Sequence, residues 1–258
     1  MEPKSLNALH GWEWIKQGYA LFMKAPLLWI VILTICLVAA VMLSSVPVVG
    51  EPLLTLLMPV GMAGLMLGCR SLEQGEELEL AHLIAGFHRQ TSHLITLGGI
   101  SLVGQLLIFG LMMLAGGAAL VGILMNGQPD MDSSILMEAL AGAGLAVFIG
   151  VVLFSVLMMA MQYAPMLVFF NNATPVQAMQ LSLRAFLNNV GPWLVYLTTF
   201  IFLAILASIP MMLGWLILLP LVFTSLYVSY CDIFPPVKET VGTPPQSAVF
   251  KPDDQTFS

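Results

Sequence analysis

The sequence feature that most constrains the fold is an uncharged apolar run of twenty residues, Leu27 to Val46. At a helical rise of about 1.5 Å per residue, the run matches the roughly 30 Å thickness of a bilayer core. Only 9% of the chain is charged and 59% is hydrophobic, whereas soluble domains carry about 25% charged residues. Lipid must therefore be the solvent for much of this chain, and the run predicts a transmembrane helix.

Five further apolar runs follow, so the sequence predicts an all-α membrane protein with six transmembrane helices arranged as three hairpins. The third run has 32 residues, longer than the ~20 needed to cross, so it must tilt, break or protrude. The predicted spans lie at about residues 27–46, 52–68, 94–125, 135–161, 193–209 and 215–230.

A short segment with helical spacing of its apolar residues precedes each odd-numbered span. In the first segment the spacings of three and four place these residues on one helix face, where Trp and Tyr rings would anchor in the headgroup region. The sequence therefore predicts a cytoplasmic-side amphipathic helix before each hairpin. The residues predicted to share the face of the first helix are Trp12, Ile15, Tyr19 and Phe22.

The other two short helices are predicted from the same kind of spacing. Thr174 and Gln177 fit a capping box around Pro175, which predicts that the third short helix starts there and ends at Gly191–Pro192. The predicted faces consist of Leu80, Leu83, Ile84 and Phe87 in the second helix and Val176, Met179, Leu183 and Phe186 in the third.

The positions of the basic residues predict the orientation. All eight Lys and Arg residues fall in the termini or in the connections after the second and fourth spans, and the hairpin turns at 47–51, 126–134 and 210–214 hold none. Positively charged connections stay in the cytoplasm. Both termini are therefore predicted to be cytoplasmic, in a multi-pass protein of the bacterial inner membrane.

An internal repeat is predicted from three matching segments, FMKAPLLW from Phe22, FHRQTSHL from Phe87 and FLNNVGPW from Phe186. Prolines also correspond between the first and third hairpins: Pro47 and Pro210 mark the turns, and Pro59 and Pro220 lie inside the returning helices. We interpret this as a threefold parallel repeat of a surface helix and a hairpin. Chance similarity between interfacial helices is the alternative.

Three stretches resemble a family of uncharacterised bacterial six-span inner-membrane proteins, related to the YciC-like membrane families. They are GWEWIKQGYALFMKAPLLW, PVGMAGLMLGCRSLEQGEELELAHLIAGF and LSLRAF with SLYVSYCDIF. The resemblance covers most of residues 10–234 and implies the fold and the location. It implies no activity and no catalytic residues.

Residue patterns for catalysis or cofactor binding are weak. Glu79 and His82 have the i, i+3 spacing of carboxylate-bridged metal helices, but such sites need several Glu from different helices. His82 and His93 would lie about 16 Å apart along a helix, too far to share an ion. The three cysteines have no metal-binding spacing and are predicted to be free thiols. We expect no catalytic residue, no cofactor and no metal site.

Two hypotheses for function remain open. The first is a non-enzymatic scaffold or accessory subunit whose partners are the bilayer and another membrane protein, with no nucleic acid. The second is a small transporter or lipid-handling protein with a site between the repeats, lined by kinks at Pro59 and Pro220, although packing alone also explains such kinks. Gln105 and Gln162 are the predicted intramembrane polar contacts. Residues 235–258 are predicted to be a disordered, proline-rich cytoplasmic tail.

Overall fold

The computed structural model describes residues 2–114, 133–209 and 211–235, with the backbone alone for 133–143. Within these ranges all regular secondary structure is helical, as predicted. The helices are α1 (His10–Phe22), α2 (Pro26–Ser44), α3 (Gly50–Glu73), a 3-10 helix (Leu80–Phe87), α4 (Thr91–Met112), α5 (Ser133–Gln162), α6 (Ala164–Asn171), α7 (Pro175–Asn188), α8 (Val190–Ser208) and α9 (Trp215–Ile233).

Six helical segments in the described part of the chain are long and apolar enough to cross a membrane, which confirms the predicted number. They are α2, α3, α4, the segment Gly144–Asn171 that joins α5 to α6, α8 and α9. The two segments of each predicted hairpin contact each other, and α3 also packs closely on α4, across the first two hairpins. The first pair reverses at Pro47, as predicted, where the Val49 N–H donates to the Pro47 carbonyl at 2.8 Å. The predicted turn residue Pro210 and the tail from 236 lie outside the described residues.

Several helix ends differ from the predicted spans. Helix α3 continues to Glu73, past the predicted end at 68, because helical hydrogen bonding does not stop where the apolar run stops. Helix α4 ends at Met112 after 22 residues, and positions 115–125 of the third predicted span lie outside the described residues. The fourth crossing breaks at Tyr163 and resumes in α6, where Pro165 fits the first turn.

The boundary between α7 and α8 was predicted wrongly. Helix α7 ends at Asn188, and the pair Gly191–Pro192 lies in the first turn of α8. Proline is tolerated there because the first N–H groups of a helix have no intrahelical acceptor. At the start of α7, Thr174 is the N-cap but its side chain makes no capping hydrogen bond, so the predicted capping box is absent.

The starts of α2, α4 and α8 and the ends of α3, α6 and α9 lie together, and we call this the basal end. The chain's two described termini meet here, since the Lys4 N–H donates to the Ile233 carbonyl at 3.0 Å. The opposite end, which holds the turns after α2 and α8, is called the hairpin end. Alternation of the six segments between the two ends brings both described termini to the basal end.

The three short helices at the basal end each pack on a hairpin that is not the one they introduce. Helix α1 packs on α8 and α9, the 3-10 helix packs on α3, and α7 packs on α5 and α6. Backbones come very close at these contacts, because a Cβ at Gly18 would lie 2.7 Å from Ser225 Cα, and one at Gly64 would lie 2.7 Å from the His82 carbonyl oxygen. The Gly64-x-x-x-Gly68 surface therefore receives the 3-10 helix.

The predicted apolar faces of the short helices match the buried surfaces only in part. In α1, Ile15 and Phe22 are buried beside Trp14 and two glycines, whereas Trp12 and Tyr19 are 46% and 48% exposed. Of its predicted face, α7 exposes Val176 alone, but its fully buried residues are small ones, and the 3-10 helix buries a glycine while most of its predicted face is exposed. This difference arises because the surrounding solvent is lipid. Small residues allow close helix contact inside a bilayer, and large apolar side chains can face lipid.

The buried core lies at the basal end. Helix α6 is buried from Ala164 to Phe169, and Trp14, Trp29 and Tyr163 are almost completely buried. Toward the hairpin end, α2 buries nothing after Leu33. The core therefore surrounds the ends of α3, α6 and α9 rather than the middle of the bundle.

Candidate functional site

Asp232, near the end of α9, joins α1 to the last hairpin. Its Oδ2 lies 2.8 Å from His10 Nδ1 and accepts a hydrogen bond from Trp14 Nε1 at 2.9 Å. A carboxylate this near the membrane interior persists where donors satisfy it. Asp232 therefore fixes the rotation of α1 against α9.

Asn189, the residue between α7 and α8, is completely buried. Its Oδ1 accepts from the Leu6 N–H, and its Nδ2 donates to the carbonyls of Lys4 and Ala185, all at 2.8 Å. Asparagine carries both donors and an acceptor, so one side chain can satisfy several backbone groups. The N-terminal segment is thus bound to the break between α7 and α8.

Four tyrosine hydroxyls hydrogen-bond to partners on other helices at the basal end. The Tyr163–Ser229 distance is 2.9 Å, the Tyr196–Ser225 distance is 2.8 Å, and the Tyr227 hydroxyl donates to Glu73 Oε2 at 2.6 Å. The remaining pair consists of Tyr230 and Asn171. These polar groups therefore face one another within the protein.

Aromatic rings and two arginines complete this cluster. Trp193 stacks on Phe186 with 5.2 Å between ring centroids and meets Trp14 edge-on at 5.8 Å. The guanidinium of Arg70 lies 5.4 Å from the Phe170 ring centroid, and that of Arg89 lies 5.7 Å from the Phe169 centroid. Such cation–π contacts stabilise by about 0.5–1 kcal/mol at exposed sites.

Glu79 and His82, which were considered as metal ligands, hydrogen-bond within the protein. His82 Nδ1 accepts from the Glu79 N–H at 3.0 Å, and His82 Nε2 lies 3.3 Å from Ser71 Oγ. In the described ranges no three His, Cys, Asp or Glu side chains are grouped as metal ligands. Cys36, Cys69 and Cys231 are free thiols, as predicted.

The predicted kinks at Pro59 and Pro220 are buried inside α3 and α9. The 3-10 helix covers the turn after Pro59, because a Cβ at Gly86 would lie 2.3 Å from the Val60 carbonyl oxygen. The Pro220 carbonyl accepts from Thr224 Oγ1 at 3.1 Å. The structure places each proline in a packed helix, and neither lines the large cavity described below.

The two predicted polar contacts lie apart. Gln105 Nε2 donates to Ser101 Oγ at 3.2 Å, which is one turn earlier in the same helix. Gln162 is half-buried at the last position of α5, next to the break at Tyr163. Of the two, Gln105 faces a cavity.

A cavity of about 650 Å³ lies between α3, α4 and α5 near the hairpin end. Most of its lining is apolar, with three polar side chains, those of Glu51, Thr55 and Gln105. The other lining residues are Pro52, Leu102, Leu106, Ile108, Phe109, Met112, Gly150, Val151 and Phe154.

Sequence reasoning missed Asp232, Asn189 and His10. A charged residue and a buried amide at the ends of predicted spans are usual at a membrane surface, so neither signals a specific contact. The bonded residues are also distant in the sequence, since His10 and Asp232 are 222 positions apart. The available signal was the clustering of Tyr, Ser and Asp at the end of α9, which exceeds what a lipid-facing helix needs.

The six apolar crossings define an integral membrane protein. Over 201 residues the chain is 30% identical to a probable inner membrane protein of Burkholderia thailandensis, covering 76% of this chain and 74% of the relative. The chain belongs to the family of that protein, and the prediction of an integral inner-membrane protein is confirmed. No family model and no solved structure matches the chain.

Proposed function

We propose that the chain is a threefold parallel repeat in which each short helix is amphipathic and belongs to the hairpin that follows it. The contacts that support this are cyclic: the short helix of each unit packs on the hairpin of the unit before it, and α1 packs on the last hairpin. Such closure is expected when equivalent units surround an axis along the membrane normal. We also propose that the chain is related to the YciC-like families and shares this architecture with them.

A circular permutant tests the repeat. The described termini meet at the basal end, so a short linker could join them while new termini open at Gly75, before the 3-10 helix. If the three units are equivalent, the permutant inserts and elutes as a folded protein like the natural chain. Loss of insertion in the permutant, with a linker-only control intact, contradicts the repeat.

We propose that the basal end faces the cytoplasm, with both termini inside. The support is the distribution of charge, since every described Lys and Arg lies at the basal end and the described hairpin turns have none. A membrane-impermeant thiol reagent tests this. Val48→Cys, at a position 92% exposed, should react in intact cells, and Leu9→Cys should react only after lysis; the reverse pattern contradicts the orientation.

We propose a non-enzymatic scaffold or accessory subunit of another inner-membrane system. The observation that carries this is the basal cluster, where tyrosine hydroxyls bond to serine and glutamate side chains and Asp232 bonds to His10. A fixed set of helices whose hydroxyl and carboxylate groups bond to one another suits a platform better than a reaction centre. The exposed rings of Trp12 and Tyr19 lie on the outside of this platform.

Site-specific photo-crosslinking in native membranes tests the scaffold. A photoreactive residue at Trp12 or Tyr19 should give one discrete crosslinked protein, whereas the same residue at Leu37, 56% exposed on α2, should crosslink to lipid. Crosslinking to lipid alone from all three positions contradicts a scaffold with a protein partner at α1. Elemental analysis that finds stoichiometric metal in the pure protein would contradict the non-enzymatic assignment.

Lipid handling is the second candidate, and the cavity between the first and second hairpins favours it. Cavities of about 300–1,000 Å³ that are mostly apolar, with a few polar groups, are typical ligand sites. Purified protein in liposomes should accelerate redistribution of labelled phospholipid between leaflets. A redistribution rate equal to that of protein-free liposomes contradicts lipid handling and does not bear on the scaffold proposal.

A further inference from the structure

We propose that the cavity between α3, α4 and α5 binds one acyl chain of a phospholipid with an amine headgroup, oriented so that the ammonium meets Glu51. This inference deepens the lipid-handling candidate by naming the ligand and the residues that hold it. It does not depend on transport, because a bound lipid can equally be a structural component.

The cavity is a wedge created by how three helices meet. Helices α3 and α4 touch closely at Gly98, where a Cβ would lie 2.4 Å from the Leu56 carbonyl oxygen. Helix α5 closes on α4 farther along, because Cβ atoms at Gly104 and Gly150 would lie 3.1 Å from Leu157 Cδ2 and 2.2 Å from Met112 Sδ. Helix α5 thus stays with α4, while α3 leaves it toward the hairpin end.

The dimensions of the wedge suit a hydrocarbon chain. The lining residues of α4 run from Leu102 to Met112, about 15 Å along the helix axis. The volume of about 650 Å³ is within the range of ligand sites. Side chains such as Leu102, Phe109 and Phe154 give it an apolar wall along this length.

The polar groups are placed for a headgroup and its linkage. Glu51 lies in the first turn of α3, is exposed, and is the charged residue among those that line the cavity. An ammonium group is the complementary charge. Thr55 lies one turn deeper, and Gln105 carries amide donors that suit an ester carbonyl. The cavity therefore presents a carboxylate at its rim and the Gln105 amide inside.

Pro59 contributes to this polarity. Proline has no N–H, so it cannot donate the helix hydrogen bond to the carbonyl four residues earlier, which is that of Thr55. Thr55 lines the cavity, and its own hydroxyl donates to the Glu51 carbonyl at 2.9 Å. Pro59 therefore leaves the Thr55 carbonyl without its helical donor, at a residue of the cavity wall.

Native mass spectrometry of the full chain tests the site. The protein is reconstituted in bilayers with equal amounts of phosphatidylethanolamine and phosphatidylglycerol, re-extracted gently, and the lipids retained per protein are counted. The wild type should retain one phosphatidylethanolamine. Leu102→Trp fills the wedge and should abolish retention, whereas Leu107→Trp, on the same helix but outside the lining, should leave it unchanged.

Glu51→Gln tests the charge. It should reduce the preference for phosphatidylethanolamine over phosphatidylglycerol about two- to fivefold, as expected for one exposed ion pair. Glu13→Gln, on α1 and paired with Lys16, is the control for a lost carboxylate and should leave the preference unchanged.

Three results would overturn the proposal: no retained lipid in the wild type, equal retention of both lipids, or retention by Leu102→Trp equal to wild type. If Leu102→Trp does not fold, Ile108→Trp replaces it as a second filling variant of the same wall. Retained lipid without any redistribution in liposomes overturns lipid handling only. Failure of the crosslinking experiment overturns the scaffold only, so the outcomes are distinguishable.

Discussion

The basal and hairpin ends of this protein are held together in different ways. At the basal end backbones touch at Gly18 and Gly64, and polar side chains bond across helices. Toward the hairpin end close backbone approaches occur in the turns, at Gly50 and Gly214, whereas Gly110 has nothing within 4 Å and Leu37 is 56% exposed. Lipid is as apolar as a leucine side chain, so burying leucine gains little in a bilayer. Close backbone contact and polar bonds therefore determine where the helices associate.

The largest effect is expected when a side chain is introduced at the contact between α1 and α9. Gly18→Leu places atoms against the Ser225 backbone, and overpacking of this kind costs about 3 kcal/mol or more because backbone cannot move aside. Gly110→Leu is the matched control at the hairpin end. Size-exclusion profiles in detergent should show a folded peak for the control alone; equal profiles would remove the distinction between the two ends.

A smaller loss of stability is expected from substitutions in α2, which passes through both regions. Ile32 is 1% exposed and Leu37 is 56% exposed. Ile32→Ala should destabilise by about 2 kcal/mol through lost packing and a residual cavity, and Leu37→Ala should change stability by less than about 0.5 kcal/mol. Unfolding in detergent mixed with increasing SDS measures both. The comparison fails if Leu37→Ala is the more damaging change.

The smallest expected effect concerns the amide that binds the N-terminal segment. Asn189→Ala leaves the Leu6 N–H and the Lys4 carbonyl without their partner, which costs about 1–2 kcal/mol where water cannot replace it. Asn188, the exposed neighbour, provides the control. Limited proteolysis should release residues before α1 faster in Asn189→Ala than in Asn188→Ala. Equal cleavage would show that the amide does not restrain this segment.

Apolar run length predicted the helices well, because a bilayer imposes one simple requirement on a crossing segment. The number of crossings and the turn at Pro47 followed from it. The buried faces followed only in part, because the same spacing of Trp12 and Tyr19 fits a helix whichever side faces the protein. Gly11 and Gly18, seven residues apart, carried the correct signal, which hydrophobicity does not detect.

The candidate sites were harder to predict. Pro59 was visible as a kink, but its connection to a cavity depends on where α3 leaves α4, and that is set by Gly98 on another helix. Gln105 was identified as polar within a span, and the structure places it on the cavity wall. Glu51 appeared only as a turn residue. Glu51 and Gln105 line the same cavity because three helices pack together, and no local sequence pattern predicts that packing.

The docking of α1 on the last hairpin has a consequence for biosynthesis. Trp14 and its partner Asp232 are separated by 218 residues, so at about 5–20 residues per second the first helix emerges roughly 10–40 s before its binding surface exists. Throughout that interval α1 must wait at the membrane with Trp14 and Gly18 uncovered. Helix α1 therefore reaches its final position only after α9 has been made, and a ribosome that stalls before α9 leaves α1 without this contact.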